Sequence, residues 1–98
     1  MKIYKLLRER LIRLGMPTEI ELVTDAYAWM YDHHHIECKV LKSPDTMRFI
    51  SIARDADQQI HKITSQDYHN TLYKASCAAL RKGADLLERR QKDQKRKP

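Results

Sequence analysis

Three of the five histidines, His33, His34 and His35, are consecutive, and Cys38 follows three positions later. With His61 and His69 they supply imidazole nitrogens and a thiolate, the donor atoms zinc prefers. A structural zinc site, however, takes its ligands in pairs from one element, and neither C-x-x-C nor H-x-x-x-H occurs in the chain. Three successive side chains cannot converge on one ion from a regular backbone. The run therefore reads as an exposed helix-to-strand connection, and no metal or other cofactor is expected.

Nucleophilic chemistry has no better footing. None of the four serines or two cysteines lies in a G-x-S-x-G elbow or a matched Cys/His setting. The carboxylate pair Glu19 and Glu21 falls at an expected helix start, where the dipole accounts for it, and Asp55 and Asp57 fall in an expected turn. Two glycines in 98 residues cannot build a glycine-rich phosphate cradle. The expectation is a protein that is not an enzyme.

What remains is charge. The net charge is +6, and it is carried by the ends. Residues 1–14 hold five basic groups and one acidic group, residues 88–98 hold six and two, and the stretch between is slightly acidic. Lys2, Lys5, Arg8, Arg10 and Arg13 at one end, with Arg89, Arg90, Lys92, Lys95, Arg96 and Lys97 at the other, are the candidate nucleic-acid contacts. A basic amphipathic first helix could also serve a membrane surface, but ordinary docking against the fold explains it more simply.

These side chains must be positioned by one domain, since 98 residues bury roughly 60–65% of their unfolded surface and support one modest core. No apolar run reaches the ~18 residues of a membrane span, and the first residues lack the unbroken apolar centre of a secretory signal. A cytoplasmic protein with no membrane partner is expected, and Cys38 and Cys77 read as reduced core residues.

The organising element is a helix over 64–88, opened by Thr64 with Asp67. Leu72, Ser76, Ala79, Leu80, Gly83 and Leu87 form one face of it, crowded with small residues that let a sheet approach closely. A first helix over 2–14 carries Ile3, Leu6, Leu7, Leu11 and Leu14 and is stopped by Gly15 and Pro17. Thr18 with Glu21 reads as a capping box for a second helix, which carries Trp29 and fades near Asp32. Ile36, Cys38 and Val40 alternate with polar residues as in a half-buried strand, Ser43 to Thr46 form a turn, and residues 47–54 read as a second strand. Residues 59–63 read as a short third strand or an extended lead-in to the last helix, and residues 89–98 as a basic tail that prolongs that helix briefly and then frays. The fold class is α+β, a small antiparallel three-stranded sheet with helices on one face, in the order α-α-β-β-β-α. The domain spans 1–88, with 1–15 as an appended amphipathic helix and 18–88 as the core.

That order over 18–88 resembles double-stranded-RNA-binding domains in topology. Their lysine cluster at the last helix is replaced here by TSQDYHN, and their glycine, proline and histidine loop by SPDT. AYAWMYDHHH, SPDTMRFISI and the helix YxxxLYxAxxAALxxGxxLL resemble small uncharacterised α+β proteins encoded by prophages and mobile elements of gut bacteria. Tyr27, Ala28, Trp29 and Met30, with Ala75, Ala79, Leu80 and Leu87, are the matching positions. The resemblance implies the fold and no activity. The expected function is an interaction or accessory role through a protein partner or a homodimer, using the first helix and any uncovered sheet face bearing Phe49. Weak, sequence-tolerant nucleic-acid binding is the alternative.

Overall fold

The computed structural model describes residues 1–57 and 67–96. In chain order these form α1 (Lys5–Arg13), α2 (Val23–His34), β1 (Ile36–Lys42), β2 (Phe49–Asp55), β3 (Asp67–His69) and α3 (Leu72–Arg96). The architecture is α+β, with an antiparallel sheet ordered β1-β2-β3.

The helix expected over 64–88 begins later. Thr64 lies outside the described residues, and Asp67 belongs to β3, where Asp67, Tyr68 and His69 pair with Ser51, Ile50 and Phe49. Thr71 is the real start: its Oγ1 accepts the Lys74 amide at 3.1 Å, three residues into the helix, as an N-cap does. Leu72 is consequently at the solvent-facing entry and not on the buried face. From Ala75 to Leu80 every residue is buried, so α3 is enclosed all round over that stretch. Past Glu88 it continues for two turns, to Arg96. The expected strand over 59–63 lies outside the described residues.

The first helix starts at Lys5 and not Lys2, and the second starts at Val23 with no side-chain cap, so the Thr18–Glu21 box is not used. The cause is a long-range pairing that local signals do not reveal. Lys2 and Leu22 form an antiparallel bridge, Ile3 donates to the Glu21 carbonyl at 2.9 Å, and Val23 donates to the Met1 carbonyl at 3.0 Å. Both segments are thereby held extended. Gly15 ends α1's exit turn at a φ of +108°, as only glycine does without strain. Leu7 and Leu11 anchor α1 in the core with Ile3, while Leu6 is 73% exposed. α1 runs alongside α3 in the same direction, with Tyr4 beside Tyr73 and Arg10 reaching Asp85 and Glu88.

β1 pairs with β2 from Ile36↔Asp55 through Lys42↔Phe49, which sorts the side chains onto two faces. Ile36, Cys38, Ser51, Ala53 and Asp55 face the helices, and Phe49 shares that side by register. Phe49 therefore lies on the helix side and not on the opposite face, where Ile52 is buried. Gly83 permits the close approach: a Cβ there would lie 2.8 Å from Cys38 Sγ and 3.2 Å from Met30 Cε. Both cysteines are free and buried, and burial pushes the Cys38 thiol up to about 12. Tyr27 ties α2 to α3 by donating its hydroxyl to the Ser76 carbonyl at 2.8 Å.

Candidate functional site

α2 ends in a left-handed residue, His35 at φ 53°, which turns the chain sharply into β1. The histidine run therefore sits at a corner of the fold, beside the distal turns of α3. There His33, His34, His35 and Asp57 face Leu87, Arg90, Gln91 and Gln94 across a cleft of about 350 Å³. Arg90 holds the corner shut, its guanidinium donating to the His34 carbonyl and to the Asp55 carboxylate. The three imidazoles diverge. His34 meets Trp29 edge to face at 4.9 Å, and His35 lies 3.7 Å from Asp57. Burial, the neighbouring His33 and Arg90 all hold His34 below its ordinary pKa.

The other donors named in the sequence are elsewhere. Cys38 is sealed against Gly83, His69 lies on β3 at 3.2 Å from Ser51 Oγ, and His61 is outside the described residues. Among the described residues no group of three or more His, Cys, Asp or Glu side chains could hold a metal ion. The corner is built as a structural clasp of α2, β2 and α3 around Arg90.

The basic ends divide into two sets. Arg8 donates to the Ile20 carbonyl at 3.1 Å and to the Thr18 carbonyl, fixing the loop after α1. Arg10 bridges to α3, 2.6 Å from Asp85 and 2.9 Å from Glu88. With Arg90, these three cations are committed to the fold. Lys2, Lys5, Arg13, Arg89 and Lys92 are exposed. Arg13 and Lys92 both act on Glu88, so the two basic ends converge around the Arg10–Glu88 contact. Lys95 and Arg96 lie in the last turn of α3, and Lys97 is outside the described residues.

The outer sheet face is of a different kind. Leu41 pairs with Ile50, and Ile50 with Tyr68, so one apolar row crosses all three strands. Leu41 and Tyr68 are each about half exposed, at 47% and 48%. In the adjoining rows Glu37 lies 2.8 Å from Arg54 and 3.4 Å from Lys39, so one carboxylate is shared by two cations beside the row. The sequence located β1 and β2 but not β3, which lies within the expected helix, so a row that depends on the β2–β3 register could not be read from it.

Three carboxyls are held below their ordinary range. Glu37 is lowered chiefly by its hydrogen bond from Arg54, and Glu88 chiefly by that from Arg10. Asp55 is lowered by the Asp57 amide and Arg90, which outweigh its burial. Because the folded carboxyls hold protons less tightly than the unfolded ones, their stabilisation is complete above the unfolded carboxylate pKa values near 4. It is lost as pH falls through the lower folded values. His34 acts in the same sense from a higher pH, since the unfolded ring takes up its proton first, near 6.5. The melting temperature is expected to decline in two stages on acidification, first below pH ~6.5 and then below ~4, by a few degrees in all. Thermal melts at stepped pH check this, and His34→Gln should remove the first stage only.

Comparison with known proteins returns no match to a family model, a curated protein or a solved structure. Among the described residues no helix is long and apolar enough to cross a membrane.

Proposed function

We propose that the chain is a non-enzymatic interaction protein of the cytoplasm that binds a protein partner or a second copy of itself. The observation that supports this reading is the apolar row Leu41, Ile50 and Tyr68, beside which Lys39 and Arg54 are already drawn to Glu37 within the fold. Such a face loses little on desolvation and offers apolar area to another protein. The resemblance in the helices and the turn extends the proposal to an accessory protein of a prophage or other mobile element.

A second reading draws on the convergence of Arg13 and Lys92 at Glu88, which gathers the exposed cations of both ends into one region. That region would grip duplex phosphates without reading bases. The two readings part in light scattering at low and high salt, with and without duplex RNA or DNA. The interaction reading expects a mass indifferent to nucleic acid. A complex that forms at 50 mM salt and weakens ~10³-fold by 200 mM would overturn it in favour of the basic ends.

A further inference from the structure

Among the described residues β1 is an edge strand, and its backbone bonds to β2 follow from two flanking contacts. Ala56 donates to the His35 carbonyl at 2.8 Å, and Ser43 donates to the Arg48 carbonyl at 2.8 Å. Both pairs continue the β1–β2 register, so the hydrogen-bonded partners between them are Glu37–Arg54, Lys39–Ile52 and Leu41–Ile50. The amides and carbonyls of Ile36, Cys38, Val40 and Lys42 therefore point outward, away from β2.

We infer that this edge pairs with the same edge of a second copy of the chain, antiparallel about Cys38, to join two three-stranded sheets into one. The register is singled out by charge. With Cys38 opposite Cys38, Ile36 falls opposite Val40 and Glu37 falls opposite Lys39, twice over by symmetry. Centring the pair on Lys39 would instead set two lysines face to face, which is unfavourable. In the Cys38 register the outward groups of Ile36, Cys38 and Val40 are the ones that meet. Glu37 and Lys39 then occupy the closely spaced positions between hydrogen-bonded pairs. The charges extend a ladder already present: Arg54 of one copy beside its own Glu37 at 2.8 Å, and that Glu37 beside Lys39 of the other. Of the sheet strands α2 touches β1 alone, and both helices of the main layer lie on the Cys38 side. The outer face is left continuous across the junction. A second copy is thus the partner at this edge, an assignment that rests on the interaction reading above and leaves the apolar row on the outer face of the joined sheet.

The test is solution mass over a dilution series, with melting curves to confirm folding. The wild-type chain should approach twice its 11.7 kDa mass. Val40→Pro removes one outward amide without touching the β1–β2 bonds and should abolish the doubling. Lys39→Glu and Glu37→Lys should each raise the dissociation constant about tenfold or more, because each places like charges opposite one another. An equimolar mixture of the two variants should recover the wild-type dimer, since only in this register does each new charge meet its opposite. Recovery in the mixture decides the matter even if either variant melts earlier. A wild-type chain that stays monomeric throughout overturns the assignment, as does a dimer indifferent to Val40→Pro and to both charge variants. The monomeric result, without nucleic-acid binding, leaves a different protein as the partner, whereas salt-sensitive nucleic-acid binding removes the interaction reading itself.

Discussion

Ala79→Arg is expected to leave the chain without a cooperative melt at any temperature. Ala79 is completely buried in the stretch of α3 that has no exposed side. A guanidinium there has no route to water along either flank, because Ala78 and Leu80 are buried too. The new side chain must displace neighbours packed at crystal density and must also bury a charge with no opposite charge placed for it. Together these cost at least about 4–5 kcal/mol, against a total of ~5–15 kcal/mol for a small domain. Circular dichroism and a thermal melt check the outcome. Retention of the wild-type melting temperature would mean that the buried face of α3 has been placed wrongly.

Gly83→Val is expected to cost about 3 kcal/mol or more, and the reason can be isolated by a second substitution. Even a single Cβ at 83 would sit 2.8 Å from Cys38 Sγ and 3.2 Å from Met30 Cε, and valine adds two methyls to that space. Gly83→Ala should suffer less, because alanine recovers up to ~1 kcal/mol of helix propensity against the same contact. Cys38→Ala removes the sulfur that the new Cβ would meet. The pair Gly83→Ala and Cys38→Ala should therefore be more stable than the sum of the two single changes predicts, by about 1 kcal/mol. Additive losses in a denaturation series would show that the helix–strand distance is not set by this contact.

The boundaries of β1 were legible because they rest on local periodicity, and the element order holds although β3 lies within the stretch expected to be helical. Ile36, Cys38 and Val40 alternate cleanly with Glu37 and Lys39, and the small residues around Ala79 and Gly83 announce a close approach. Helix starts were not legible. Thr18 and Glu21 have the residue types of a capping box, but the pairing of residues 1–3 with 21–23 outweighs it with backbone bonds to a distant segment. Thr64 and Asp67 carry a similar signal, and there β3 claims Asp67 while Thr71 supplies the cap with no acidic residue three positions on to advertise it. The corner site was half legible. The histidine run stands out, but Arg90, which gathers it against α3, lies 56 residues from His34 and reads as one more cation of a basic tail. The partners of Arg8 and Arg10 were not legible for the same reason: composition shows a charge and not what it already holds.

α3 touches every other helix and strand of the fold, whereas α1 touches α3 alone among them and α2 meets only β1 and α3. All five preceding elements thus depend on a helix that is synthesised after them. Residues 1–57 can form a hairpin, with α2 against β1, as they emerge, but α1 and most of the sheet's inner face have no partner element until residues 75–87 exist. The core must then close through contacts between distant parts of the chain, a slow route for so small a protein. During that interval Leu7, Leu11, Trp29 and Ile36 are open to water and to neighbouring chains, so the nascent protein is most vulnerable to aggregation just before α3 is complete.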